Sequence, residues 1–277
     1  MDDSDSKEYT FHTSKFDWED KNNPKDTDGW QESGQKYYEK FLQPVLPGLE
    51  SIVHTLQEEI SLSDEETACI FLDRDSRPAM HAFRERIKHR RLKTFPIPLS
   101  GAQVHQFVRD TYTSFELNAI LDGIHDPDQW SQQFAEEYGK IYRYDDWMQQ
   151  WVAAIRESHG KKLADTRLIV LVDIGYHGSM LEIARCMLEK AFPGITIRTV
   201  LLYKYSDNIP IRAVVSNDSS QYAEDSIPHT TVGYTLKGDR YRYLKGTPES
   251  VDHKAEDAFY RGVIQAAHQD VSPSDSS

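Results

Sequence analysis

Two short polar stretches hold the residues best suited to chemistry. Asp73, Arg74, Asp75, Ser76 and Arg77 follow the apolar run ACIFL, and Asp173 opens the stretch DIGYHGS directly after RLIVLV. The guanidinium groups of Arg74 and Arg77 have the planar fork that meets two phosphate oxygens at once. Asp73 and Asp75 offer carboxylates, which suit Mg²⁺ because that hard cation takes oxygen ligands. In the second stretch Gly175 and Gly178 permit close backbone approach or positive φ, and Ser179 offers a hydroxyl and a helix cap. His177 lies between the glycines beside Tyr176, where an imidazole can donate to a phosphate or move a proton. Each stretch also has a plain structural reading: a charge-balanced surface turn for the first, a capped tight turn for the second. The presence of both shifts the balance toward a ligand cleft, because adjacent strands aim their loops at one point.

The elements around these stretches predict an α/β fold with a central, mainly parallel sheet. Ala68–Leu72 reads as a strand and Ala79–His89 as a helix. Arg167–Val172 is an unbroken, largely β-branched run, the pattern of a strand covered on both faces. The helix MLEIARCMLEKAF and the strand Thr196–Tyr205 follow, and a strand–helix–strand unit of this kind is parallel and right-handed. In such a sheet ligands bind beyond the carboxyl ends of the strands, where loops feed helix amino ends. Apolar spacing over Gln35–Ile60, broken by Pro44 and Pro47, predicts two N-terminal helical pieces. FELNAILDGI and DDWMQQWVAAI predict helices that cap or insert into the fold, a helical insertion over about 104–160. VGYTLKGDRYRYL predicts a hairpin around Lys237–Asp239, and Glu256–Ala267 a closing helix. Residues 1–30 and 269–277 are polar and aperiodic, which bounds one domain at 31–268 between mobile tails.

Composition narrows the partners. The chain shows neither a basic-then-apolar leader nor a run of some 20 apolar residues, so a cytoplasmic protein without membrane contact is expected. Cys69 and Cys186 each sit in an apolar run and read as buried thiols, which leaves no disulfide or zinc framework. A net charge of −13 repels nucleic acid. The segment Arg84–Lys93 (RERIKHRRLK) is the local exception that could attract phosphates or RNA, against the plainer reading of a helix face balanced by charge elsewhere. The stretch from Trp130 to Trp151 reads as helix packing, with a partner surface as the alternative.

The segments GQKYYEKFLQPVLPGLESIVHTL, CIFLDRDSRPAMHAF and LIVLVDIGYHGSM, in that order, resemble bacterial HAD-like proteins found beside polysaccharide genes. Their signatures read roughly FLARDG and VDIGWxGS. The likeness is closer in the second motif, and the first departs from it at Asp73 and Ser76. The architecture also looks like a type I phosphoribosyltransferase. That resemblance implies that Arg74, Asp75, Ser76 and Arg77 face pyrophosphate. It implies too that Asp173 meets ribose hydroxyls or Mg²⁺, and that Gly175, Tyr176, His177, Gly178 and Ser179 wrap a 5-phosphate. Ile174 stands where those enzymes carry a second acid. The implied function is Mg²⁺-dependent binding of a phosphorylated ribose or nucleotide-type ligand, with phosphoribosyl transfer and release of pyrophosphate. A HAD-type phosphatase is the alternative, with Asp73 as nucleophile and Asp75 as general acid and base. A third reading is a catalytically inactive ligand sensor or interaction module.

Overall fold

The computed structural model describes residues 8–9, 27–72, 76–97, 99, 146–175, 178–204, 211–216, 232–237, 240–245 and 253–271. In chain order the elements are β1 (Glu8–Tyr9), α1 (Thr27–Tyr37), a π-helical turn (Tyr38–Leu42), α2 (Leu46–Glu59), β2 (Thr67–Leu72), α3 (Arg77–Arg86) and β3 (Lys93–Ile97). There follow α4 (Asp146–His159), β4 (Leu168–Asp173), α5 (Ser179–Ala191), β5 (Thr196–Lys204), β6 (Arg212–Ser216), β7 (Val232–Lys237), β8 (Arg240–Lys245) and α6 (His253–Val271).

Five strands make one all-parallel sheet in the order β3-β2-β4-β5-β6. The apolar runs explain its centre. Every residue of β2 is buried, as are Leu168–Val172 of β4, because helices cover both faces. Strand alternation sends Cys69, Phe71, Val170 and Val172 into a core shared with Leu42, Leu49, Phe83 and Phe259. It sends Ala68, Ile70, Ile169 and Leu171 into a second core with Trp151, Ile155, Leu181 and Leu188. The α1–α2, α3 and α6 layer therefore covers one face, and α4 and α5 cover the other.

The edge strands escape a reading by periodicity. β3 is short and contains Pro96, a residue without an N–H that an edge strand tolerates. β6, at the opposite edge, is only half-buried, so its sequence RAVVS carries a weak apolar signal. α4 lies in the stretch expected to cap or insert into the fold, and its Trp151, Val152 and Ile155 are buried in the second core, so it caps this face of the sheet. Trp151 is 3% exposed, and residues 130–145 of the aromatic stretch from Trp130 to Trp151 lie outside the described residues. The segment FELNAILDGI lies outside the described residues.

At the amino end, α1 starts at Thr27, ahead of the boundary expected at 31, and Trp30 is buried. Glu8 and Tyr9 pair with Thr235 and Tyr234 of β7, giving a second, antiparallel sheet β1-β7-β8 in which Lys237 lies opposite Arg240, the pairing of the expected hairpin. α6 runs to Val271, past the boundary expected at 268. The two N-terminal helical pieces form on either side of Pro44, joined through the π-helical turn. That turn is closed by the Gln43 N–H on the Tyr38 carbonyl at 2.8 Å, and the Phe41 carbonyl accepts the Tyr203 hydroxyl of β5.

Candidate functional site

The strand order creates the site. The chain moves from β2 outward to β3, then returns to the other side of β2 and builds β4, β5 and β6. The reversal therefore falls between β2 and β4. The helix after β2, α3, packs on one face of the sheet, whereas the helix after β4, α5, packs on the other. Loops that leave adjacent strands toward opposite faces open a crevice beyond the carboxyl ends, where doubly wound sheets hold their ligands.

A hydrogen-bonded triangle joins the loops at this point. Ser76 is fully buried, and its Oγ donates to Asp173 Oδ1 at 2.6 Å. The Ile174 N–H donates both to Ser76 Oγ, at 3.0 Å, and to Asp173 Oδ1, at 2.9 Å. Ser76 precedes α3 and its carbonyl takes the first helical N–H, from Met80 at 2.9 Å, yet its side chain makes no cap bond. The hydroxyl expected to meet phosphate donates across the crevice to Asp173. Arg77 opens α3 half-buried, followed by Pro78, which removes one of the N–H donors that a helix amino end would otherwise offer.

The second loop follows its expected backbone at one glycine. Gly178 has φ +72°, in the left-handed region, and a Cβ there would come within 2.1 Å of Ile211 Cδ1. Gly175 is less constrained: its nearest neighbour would be the Tyr203 carbonyl at 3.8 Å, an ordinary contact. Gly178, rather than Ser179, occupies the cap position of α5, and Ser179 is the first helical residue. The Gly178 carbonyl accepts the Glu182 N–H at 3.0 Å, which leaves the N–H groups of the first turn directed out of the helix. The Ile174 carbonyl accepts the Tyr203 N–H at 3.0 Å, so β5 supports the loop past the end of β4. Asp73, Arg74, Asp75, Tyr176 and His177 lie outside the described residues.

Lys204 escaped the sequence reading. It ends β5, is 8% exposed, and its Nζ donates to the Ile211 carbonyl at 3.4 Å. A lysine closing an apolar strand at the carboxyl edge of the sheet was the available signal.

The basic segment spans the end of α3, the following turn and the start of β3, and its charge is balanced by neighbouring acids. Arg86 pairs with Glu50 at 2.7 Å, Arg90 with Asp64 and Gln57, and Arg91 with Glu65. Arg84 donates to the Thr94 carbonyl, and Lys93 to Thr166 at 3.1 Å. The Arg90 hydrogen bond holds the Asp64 carboxyl below its usual range. A cavity of about 630 Å³ beside Arg90, lined by His54, Gln57, Glu58, Ser61, Leu62 and Asp64, lies at the amino end of β2, away from the crevice. Cys69 is buried as expected, whereas Cys186, on α5, is only half-buried; burial pushes both thiols above their ordinary value.

Among the described residues no helix is long and apolar enough to cross a membrane, and no three His, Cys, Asp or Glu side chains cluster as a metal site. No known protein-family model matches the chain, and no curated protein matches it.

Proposed function

We propose that the crevice between β2 and β4 binds a phosphorylated ribose or nucleotide-type ligand with Mg²⁺ and transfers its phosphoribosyl group, releasing pyrophosphate. The observation that carries this reading is the Ser76–Asp173 hydrogen bond, which ties the two candidate loops together at the point where the strand order reverses. The Asp173 carboxylate, with Asp75, is the oxygen donor set that Mg²⁺ takes. The ion, when bound, supplies charge neutralisation at the phosphate oxygens. Gly178 and the amino end of α5 receive the 5-phosphate, and Arg74 and Arg77 bind the pyrophosphate. In the step itself an acceptor nucleophile forms a bond to C1 of the ribose as the C1–oxygen bond breaks. The electron pair leaves with pyrophosphate, whose growing charge the two guanidinium groups stabilise.

Thermal unfolding with Mg²⁺ and, in turn, phosphoribosyl pyrophosphate, pyrophosphate and ribose 5-phosphate tests this. A ligand held at 100 times its dissociation constant stabilises by about 2.7 kcal/mol. The stabilisation should vanish in Asp173→Asn and Arg74→Ala. No shift with any of the three would remove the phosphoribosyl reading and leave an interaction module or sensor.

One observation favours phosphoryl transfer as the second reading. The register pairs Phe71 with Val172, so β2 and β4 end side by side, and the residue after Leu72 in sequence is Asp73. Carboxylates from two neighbouring strand ends suit Mg²⁺-assisted attack by Asp73 on a phosphate ester. Asp73→Asn abolishes phosphate-ester hydrolysis on that reading and spares phosphoribosyl transfer.

A further inference from the structure

We infer that Tyr203 is a positioning residue of the β2–β4 crevice: its hydroxyl, anchored on the π-helical turn, fixes the end of β5 and so holds the Ile174 peptide that orients Asp173. The inference rests on the reading of the crevice as a ligand site and adds a support that comes from the N-terminal helices.

Three observations carry it. First, Ile174 is held from both sides. Its N–H donates to Ser76 Oγ at 3.0 Å and to Asp173 Oδ1 at 2.9 Å, and its carbonyl accepts the Tyr203 N–H at 3.0 Å. The Tyr203 carbonyl is also the neighbour that a Cβ on Gly175 would meet, at 3.8 Å. The backbone of one β5 residue therefore runs along the loop just past Asp173. Second, the Tyr203 side chain enters the core shared with the N-terminal helices, where its hydroxyl donates to the Phe41 carbonyl. In an unbroken α-helix that carbonyl would receive the N–H of Val45, four residues on. Here the Val45 N–H goes to the Leu42 carbonyl at 3.0 Å. The break between the π-helical turn and α2 thus turns the Phe41 carbonyl over to β5, and a tyrosine, unlike a phenylalanine, can meet it. Third, Tyr203 and Phe41 are both buried, so a carbonyl that lost this donor would cost free energy unless the structure moved to relieve it. Moving the end of β5 carries the Ile174 peptide with it.

The test compares the wild-type chain with Tyr203→Phe, which keeps the ring and the backbone N–H, and with a chain carrying 4-aminophenylalanine at position 203, which restores a donor on the ring. Hydrogen exchange followed by NMR, without ligand, reads the loop. The Ile174 amide should exchange about tenfold faster in Tyr203→Phe, with the Ile70 amide at the centre of β2 unchanged and protection of Ile174 recovered by the amino side chain. Unchanged exchange at Ile174, or a loss shared equally by Ile70, overturns the inference, because the second result marks a merely structural role. Calorimetric titration of inorganic pyrophosphate with Mg²⁺ supplies the other readout, and Tyr203→Phe should bind about tenfold more weakly, with recovery in the amino variant. Equal affinity in wild type and Tyr203→Phe overturns the inference and leaves the crevice reading standing. Absence of binding to the wild-type chain overturns the crevice reading and this inference with it. Should Tyr203→Phe fail to fold, 3-fluorotyrosine at position 203 keeps the hydroxyl and gives a ¹⁹F resonance. A shift on adding pyrophosphate supports the coupling to the crevice, and an unmoved resonance overturns it.

Discussion

Gly178 carries two constraints that only glycine meets: φ +72° and a neighbour, Ile211 Cδ1, that an added Cβ would approach to 2.1 Å. Gly178→Ala should therefore destabilise the fold by about 2 kcal/mol, from the left-handed backbone and the overlap together. Urea denaturation checks this, and Ile211→Ala in the same chain should restore the steric part while leaving the backbone part. Ser76 presents the opposite case, a side chain chosen for its hydrogen bonds. Ser76→Ala leaves Asp173 Oδ1 without its hydroxyl donor inside a buried junction and should cost about 1–2 kcal/mol. The same substitution should weaken pyrophosphate binding, since the loops lose their tie. Unchanged stability and unchanged binding in Ser76→Ala would show that the triangle is incidental. Glycine and serine at these positions are legible in sequence as turn formers, but their partners, Ile211 and Asp173, are distant in the chain and supplied by the fold.

At the scale of elements, α1 and α6 cross with their backbones nearly in contact. A Cβ on Gly34 would meet the Phe259 carbonyl oxygen at 2.0 Å, and one on Gly262 the Gln31 carbonyl oxygen at 2.0 Å. Backbone cannot yield as a flexible side chain can, so Gly34→Ala or Gly262→Ala must push the helices apart, at a cost of about 1–3 kcal/mol in thermal or urea unfolding. A stability equal to wild type would mean that the crossing is looser than described. Periodicity predicts both helices, and it cannot predict their crossing, because glycine has no apolar side chain to register. The charged side of α3 teaches a related lesson. RERIKHRRLK reads as a basic patch only along the chain; folding brings Glu50, Asp64 and Glu65 against it.

For the whole molecule, acid stability should turn in part on His159. Burial first, and the Lys162 charge second, lower its pKa from 6.5 to about 4, and its ring stacks on Phe95 with centroids 4.6 Å apart. Between those values the unfolded chain binds a proton that the folded chain does not, so stability falls as pH drops from about 6.5 toward about 4. Partial solvent exposure of the ring limits the loss to the order of 1 kcal/mol. His159→Phe keeps a stacked ring and should flatten that part of the pH profile in urea titrations at pH 7 and pH 5. An identical slope in both chains would exclude His159 as a source.

What the chain determines by itself is local. The apolar runs of β2 and β4 are strands because an unbroken run buries both faces, and the helical spacings, the Pro44 break, the β7–β8 turn and the left-handed glycine follow from short-range rules. Tertiary structure decided the rest. It set the strand order that puts the β2 and β4 loops at the reversal, paired Ser76 with Asp173, made α4 a covering layer, enlisted β3 and β6 at the edges, neutralised the basic segment and buried Lys204 beside the α5 turn. The physical reason is common to all of these. Each depends on which surfaces lie against one another after collapse, and residues such as Ser76 and Asp173, separated by 97 positions, share no local pattern that could announce their contact.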